Sequence, residues 1–143
     1  MRRASSQPTD ETRARMRAVK RSGTTPELQV RRALSGLGIR YRLNVRALPG
    51  SPDIANSTKK FAVFVNGCFW HRHPRCSAAT TPSSNRAYWL KKFEQNVARD
   101  RRKSALLRKQ GFRVIVVWEC QTKANTLQSL LRRRFEGIRA SPA

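Results

Sequence analysis

The stretch "FAVFVNGCFWHRHPRC", residues 61–76, decides the fold, because a short β-prone apolar run gives way to residues that no strand core would hold. Phe61 to Val65 are unbroken by polar positions, the pattern of a buried central strand. Residues 66–76 then carry both histidines of the chain, two of its three cysteines and a Phe-Trp pair. A metal centre, a catalytic group and a stacking surface are all compatible with that cluster.

Working outward, "AATTPSSN" (78–85) is loop chemistry, and a long basic helix is expected from about Arg86 to Gln110, with Gly111 as its stop. "RVIVVWE" (113–119) is a second buried strand, followed by an amphipathic helix using Leu127, Leu130, Leu131 and Phe135. On the N-terminal side, "IRYRLN" (39–44) alternates as a half-buried strand does, "LPGSP" (48–52) is a turn, and "DIA" opens another strand. Before these, Thr24 or Thr25 caps a helix with Pro26 in its first turn, Glu27 at capping-box spacing, Leu28, Leu34 and Leu37 inward, and a stop near Gly38. A basic helix, Thr12 to Arg21, precedes it. The order predicts an α/β protein, a small mixed sheet flanked by helices, with a flexible basic arm at 1–11 and a single domain over 12–140.

The charge is lopsided: 31 Lys and Arg stand against 8 Asp and Glu, a net +23 over 143 residues. Such an excess, spread along the chain, implies a polyanionic partner, because cations that neutralise phosphates release condensed counterions. No apolar run is long enough to span a membrane, and "MRRASSQPTDE" lacks the apolar core of a secretory signal, so a cytoplasmic protein is expected. Three cysteines are an odd number, which argues against a closed disulfide framework. Nothing suggests a coiled coil or an apolar oligomer face, and a monomer is expected.

Among so few carboxylates, Asp53 stands out, following Pro52 at the mouth of a strand. It can hold a divalent cation near the end of "FAVFV", or it can cap its own turn. Cys68, His73, Cys76 and Cys120 have the residue types and spacing of a structural zinc set, three thiolates and an imidazole; free buried thiols are the alternative. That leaves His71, two positions from His73, to face the other way toward Asp53 as a general base or proton shuttle, or to be merely structural. Asp100 lies on the long helix's Trp89, Phe93, Val97 face, where it can orient His71 or pair with Arg99, Arg101 or Arg102. Phe69 and Trp70 are adjacent in a loop, so at least one projects and can stack on bases, whereas Trp89 suits core packing.

Taken together, "TTPELQVRRALSGLGIRYRLNVRALPGSPDI", "FAVFVNGCFWHRHPRC", "YWLKKFEQNVARDRR" and "GFRVIVVWEC" resemble the very-short-patch repair (Vsr) family of DNA mismatch endonucleases, over about residues 12 to 121. The resemblance implies a restriction-endonuclease-like PD-(D/E)xK fold with a structural zinc site. It implies magnesium-dependent nicking of double-stranded DNA on the 5′ side of the thymine in T·G mismatches left by 5-methylcytosine deamination, in functional association with a cytosine-5 methyltransferase. It also implies roles: Asp53 and the Val65 backbone carbonyl as magnesium ligands, His71 as the catalytic histidine, Asp100 as its partner and Glu27 as a nearby acid. Cys68, His73, Cys76 and Cys120 match the zinc ligands, and Phe69, Trp70 and Trp89 the aromatics inserted beside the mismatch. Asn66 departs from relatives that carry His there; it can position water but cannot shuttle a proton. The His73 to Cys76 gap is one residue longer than in some members, and the usual second acid and lysine after "FAVF" are absent. Two other readings keep the charge and the cysteines: a more permissive nuclease of a restriction or defence system, and a non-catalytic zinc-stabilised binder.

Overall fold

The computed structural model describes residues 24–138, so the arm at 1–11 and the helix expected at Thr12 to Arg21 lie outside the described residues. The first described helix, α1 (Thr25–Gly36), begins where Thr24, extended at φ −69° and ψ 162°, accepts the Glu27 backbone N–H at 3.4 Å. Pro26 sits in the first turn, where a missing N–H costs nothing. The buried face runs through Glu27, Val30 and Leu34 and continues to Leu37. Leu28, expected inward, is instead 42% exposed. It lies two residues before Val30, about 200° around the helix, and the longer Val30, Leu34, Leu37 series sets the phase.

The strand expected over 39–44 shrinks to β1 (Arg42–Leu43), with both residues exposed. Only Ile39 of that stretch is buried in the core, and Asn44 ends the strand by turning left-handed at φ 47°. β2 (Ile54–Asn56), β3 (Phe61–Asn66) and β4 (Arg113–Trp118) complete a four-stranded mixed sheet in the order β1-β2-β3-β4. β1, β2 and β3 pair antiparallel; β3 and β4 run parallel, in register from Phe61↔Arg113 to Asn66↔Trp118. The long helix α2 (Arg86–Lys109) makes the crossover that two parallel neighbours require, and Gly111 at φ 87° releases the chain from it.

Alternation along β3 splits the core. Phe61 and Val63 face α1 and the C-terminal helix α4 (Leu127–Arg134), in a cluster with Val30, Leu34, Ile115, Val117, Leu131 and Phe135. Ala62 and Phe64 face α2, packing with Ala55, Leu107 and Phe112. Between β4 and α4 a short helix not expected from the sequence, α3 (Glu119–Thr122), carries Cys120. The mixed sheet flanked by helices matches the expected architecture.

β2 and β3 stay paired only from Asn56↔Phe61 to Ile54↔Val63. Beyond that point the Val65 N–H donates at 2.7 Å to the side chain of Asp53 instead. Strand pairing therefore gives way to a side-chain bond where β3 runs out, and a cleft opens there.

Candidate active site

The cleft, about 750 Å³, is lined from several elements at once: Glu27 from α1, Asp53 before β2, Val65 and Asn66 from β3, Trp70 and His71 from the loop after β3, Lys103 from α2 and Glu119 from α3. Three of the eight carboxylates of a +23 chain thus share one concavity. Such crowding is unfavourable unless something cationic compensates it. Asp53 shows the strain directly. Burial pushes its carboxyl up from the ordinary 3.8 to about 6, with Glu27 adding repulsion, while the Val65 N–H, Lys103 and His71 pull the other way. Glu27 is itself 4% exposed and bonded at 3.4 Å to Arg31.

His71 faces the cleft and is held from behind. Its Nδ1 lies 2.7 Å from Asp100 Oδ2, and the other Asp100 oxygen lies 3.2 Å from Lys103 Nζ. Burial would raise the Asp100 carboxyl, but the hydrogen bonds and charges of His71 and Lys103 outweigh it and hold the group below the usual carboxylate range. A neutral imidazole that donates from Nδ1 to this carboxylate keeps a lone pair on Nε2. Asp100 pairs with His71 and Lys103; Arg99, Arg101 and Arg102, the other candidates, are not its partners.

Asn96, one turn before Asp100, was not singled out from the sequence, although its helical spacing from Trp89 and Phe93 puts it on the same face. It is buried, and its Nδ2 donates at 2.9 Å to the Trp70 carbonyl, fixing the peptide that precedes His71. Lys103 was missed as well. Its ammonium lies 4.2 Å from the Phe64 ring centroid, and its stem packs so tightly on Gly50 (φ 74°) that a Cβ there would approach the Lys103 side chain to 2.5 Å. Glu119 gave no local signal; it enters because the parallel register brings the end of β4 beside the end of β3.

The cysteine cluster closes on the other side of the same loop. The donor atoms of Cys68, His73, Cys76 and Cys120 all lie within 4.8 Å of one another. Cys68 Sγ and Cys120 Sγ are 3.7 and 3.5 Å from His73 Nδ1. A tetrahedral zinc with thiolate and imidazole ligands has a sulfur-to-nitrogen edge of about 3.6 Å, so the donor set fits that metal in chemistry and size. The His73 ring stacks on Trp118 with centroids 4.4 Å apart, which holds Nδ1 toward the sulfurs. Burial pushes the Cys68 thiol up to about 11, whereas the Ala78 N–H draws Cys76 down. Loading a metal here would therefore displace protons.

Phe69 and Trp70 are half-buried, their rings edge to face at 5.0 Å. Trp89 lies beneath them, 5.8 Å from each and 5% exposed, and supports the pair from below. Arg72, between the two histidines, is left-handed at φ 58°. Its guanidinium donates to the carbonyls of Phe69, Ala79 and Thr80 and to Thr81 Oγ1, and stands 3.9 Å from the Phe93 ring centroid.

Among the described residues no helix is long and apolar enough to cross a membrane. Comparison with known proteins gives a match to the family model described as DNA mismatch endonuclease Vsr over residues 7–77. A type II nicking enzyme of Xanthomonas oryzae pv. oryzae is 43% identical over 118 residues, 82% of this chain and 86% of the relative. The DNA mismatch endonuclease Vsr of Escherichia coli is 38% identical over 126 residues, 86% of this chain and 80% of the relative. A type II nicking enzyme of Neisseria meningitidis is 46% identical over 100 residues, 70% of this chain and 71% of the relative.

Proposed function

Because the chain belongs to the Vsr family and is a DNA endonuclease, we propose that it nicks the thymine strand on the 5′ side of the T in T·G mismatches. The observation that carries this reading is the His71 to Asp100 pair at 2.7 Å, opening on a cleft that also holds Glu27, Asp53 and Val65. In this reading His71 Nε2 takes the proton of the attacking water as its oxygen bonds to phosphorus and a P–O bond to the leaving strand breaks. Asp100 keeps the imidazole in the correct tautomer and stabilises the imidazolium that forms. Asp53, with the Val65 carbonyl, would hold magnesium; burial first, and Glu27 after it, make the ionised Asp53 carboxylate costly without a cation beside it. Magnesium, when bound, supplies Lewis-acid stabilisation of the charge that builds on the phosphoryl oxygens. Asn66, 6% exposed, would position water without relaying a proton.

Cys68, His73, Cys76 and Cys120 would hold a structural zinc that fixes the loop, and Phe69 and Trp70, with Trp89 behind them, would stack beside the mismatch. Residues 12–140 would act as one monomeric domain in the cytoplasm. The mismatches would be those left by deamination of 5-methylcytosine, which links the activity to a cytosine-5 methyltransferase. The test is a duplex panel with magnesium: a T·G duplex should be nicked in the thymine strand, and Asp53→Ala or His71→Ala should abolish nicking while binding persists. Undiminished cleavage by Asp53→Ala would overturn the assigned mechanism.

A second reading keeps the chemistry and changes the substrate. Relatives named as type II nicking enzymes, and a net +23 that strengthens attraction to any duplex, favour a more permissive nuclease of a restriction or defence system. Matched duplexes cut at a rate comparable to T·G duplexes at fixed salt would decide for it.

A further inference from the structure

Arg72 occupies a left-handed backbone conformation that a non-glycine residue adopts only at a cost. At position 72 the side chain offsets that cost through its own contacts. Its guanidinium fills four acceptors, three of them main-chain carbonyls, and covers the Phe93 ring at 3.9 Å. Those partners come from separate segments: Phe69 in the loop after β3, residues 79–81 in the following loop, and Phe93 on α2. Phe93 also meets Phe69 edge to face at 5.2 Å and Trp89 at 5.7 Å. The guanidinium therefore joins the 79–81 loop to the aromatic group that carries Phe69 and Trp70.

We propose that Arg72 is a positioning residue for mismatch recognition, a clamp that holds the Phe69 and Trp70 edge in the pose that enters the duplex. The inference rests on the reading of these aromatics as the wedge beside the mismatch. Wedging works against base stacking, so a wedge that must first be ordered loses part of its binding energy to that ordering. A clamp made before DNA arrives removes the loss. The Arg72 guanidinium makes no hydrogen bond to the neighbouring His71; in this scheme it acts through Phe69.

Arg75 provides an internal control. It has the same φ of 58°, lies one residue before Cys76, is exposed, and its guanidinium makes no hydrogen bond or ion pair among the described residues. Arg72→Gly and Arg75→Gly remove the same charge and relieve the same backbone strain, but only the first removes the clamp. Arg72→Lys keeps the charge and loses the fork.

The experiment compares these variants, as full chains with bound metal measured, in two arms. Without DNA, acrylamide quenching of tryptophan fluorescence should rise in Arg72→Gly and Arg72→Lys and stay at the wild-type value in Arg75→Gly. With duplexes carrying 2-aminopurine beside a T·G pair, Arg72→Gly should lower the unstacking signal and raise the half-saturating protein concentration about tenfold, corresponding to about 1.4 kcal/mol. Arg75→Gly should change half-saturation equally for T·G and matched duplexes. Equal behaviour of the two glycine variants in either arm overturns the clamp. A wild-type protein whose 2-aminopurine signal is the same for T·G and matched duplexes would instead overturn the wedge reading, and the quenching arm would still judge the tie between Arg72 and the aromatics.

Discussion

Replacing Asp53 by Asn should make the magnesium-free protein more stable while abolishing nicking. Burial and Glu27 lift the Asp53 carboxyl from 3.8 to about 6, so the folded chain binds that proton more tightly than the unfolded chain does. The favourable contribution is complete below about pH 3.8 and is lost as pH rises through about 6; above that the ionised group destabilises the fold by a constant amount. Each tenfold change in acidity is worth about 1.4 kcal/mol, which gives roughly 3 kcal/mol; solvent reaching the partly exposed group reduces this to about 1–2 kcal/mol. Asn keeps an oxygen to accept the Val65 N–H, so the bond survives without the charge. In a domain of this size the gain corresponds to a Tm rise of about 3–8 °C at pH 7.5, shrinking toward pH 5. The assay is thermal unfolding of both proteins from pH 5 to 8 in magnesium-free buffer, repeated with added magnesium, which should raise the wild-type Tm and leave the variant unmoved. A variant that is less stable than wild type at pH 7.5, or a difference that does not change with pH, refutes the reasoning.

Three further outcomes are expected. Zinc-loaded protein should contain one ion per chain by atomic absorption, and stripping it with a thiol-blocking chelation protocol should lower Tm by about 10 °C or more; a chain that never retains zinc would remove the proposed structural metal. Asp100→Asn should reduce the nicking rate by about 10²–10⁴-fold at unchanged duplex affinity, because the imidazole loses both its tautomer control and its counter-charge, and near-normal turnover would show that His71 acts without it. Affinity for matched duplex should fall by about 10³-fold or more between roughly 50 and 200 mM salt, the slope expected of several released counterions; a flat salt dependence would mean that the +23 charge does not face the DNA.

Much of this architecture was legible from period and punctuation. The runs at 61–65 and 113–118, the Thr24 cap, and the long helix ended by Gly111 each carry a local signal strong enough to survive folding. β1 did not, because alternation over 39–44 says nothing about whether a partner is long enough to use it, and Asn44 cut the pairing short. Asp53 stands out in the sequence for its rarity and its position, but the partner of its side chain needed the structure. Its side chain binds the N–H of Val65 on the neighbouring strand rather than its own turn. Glu119 was invisible for a different reason. Its place in the cleft depends on the register of two strands separated by a whole helix, which no window of sequence encodes. Asn96 and Lys103 share the inner side of the long helix with Asp100, but spacing alone does not say which carbonyl or carboxylate a polar side chain there meets.

Along residues 65–76 one unbroken run of chain bonds to Asp53, contributes three of the four clustered metal-type donors, carries the aromatic edge and presents His71. Between Cys68 and His73 such crowding leaves no spacer: a shift of one position there would move His71 off Asp100 and the Cys68 sulfur away from His73 together.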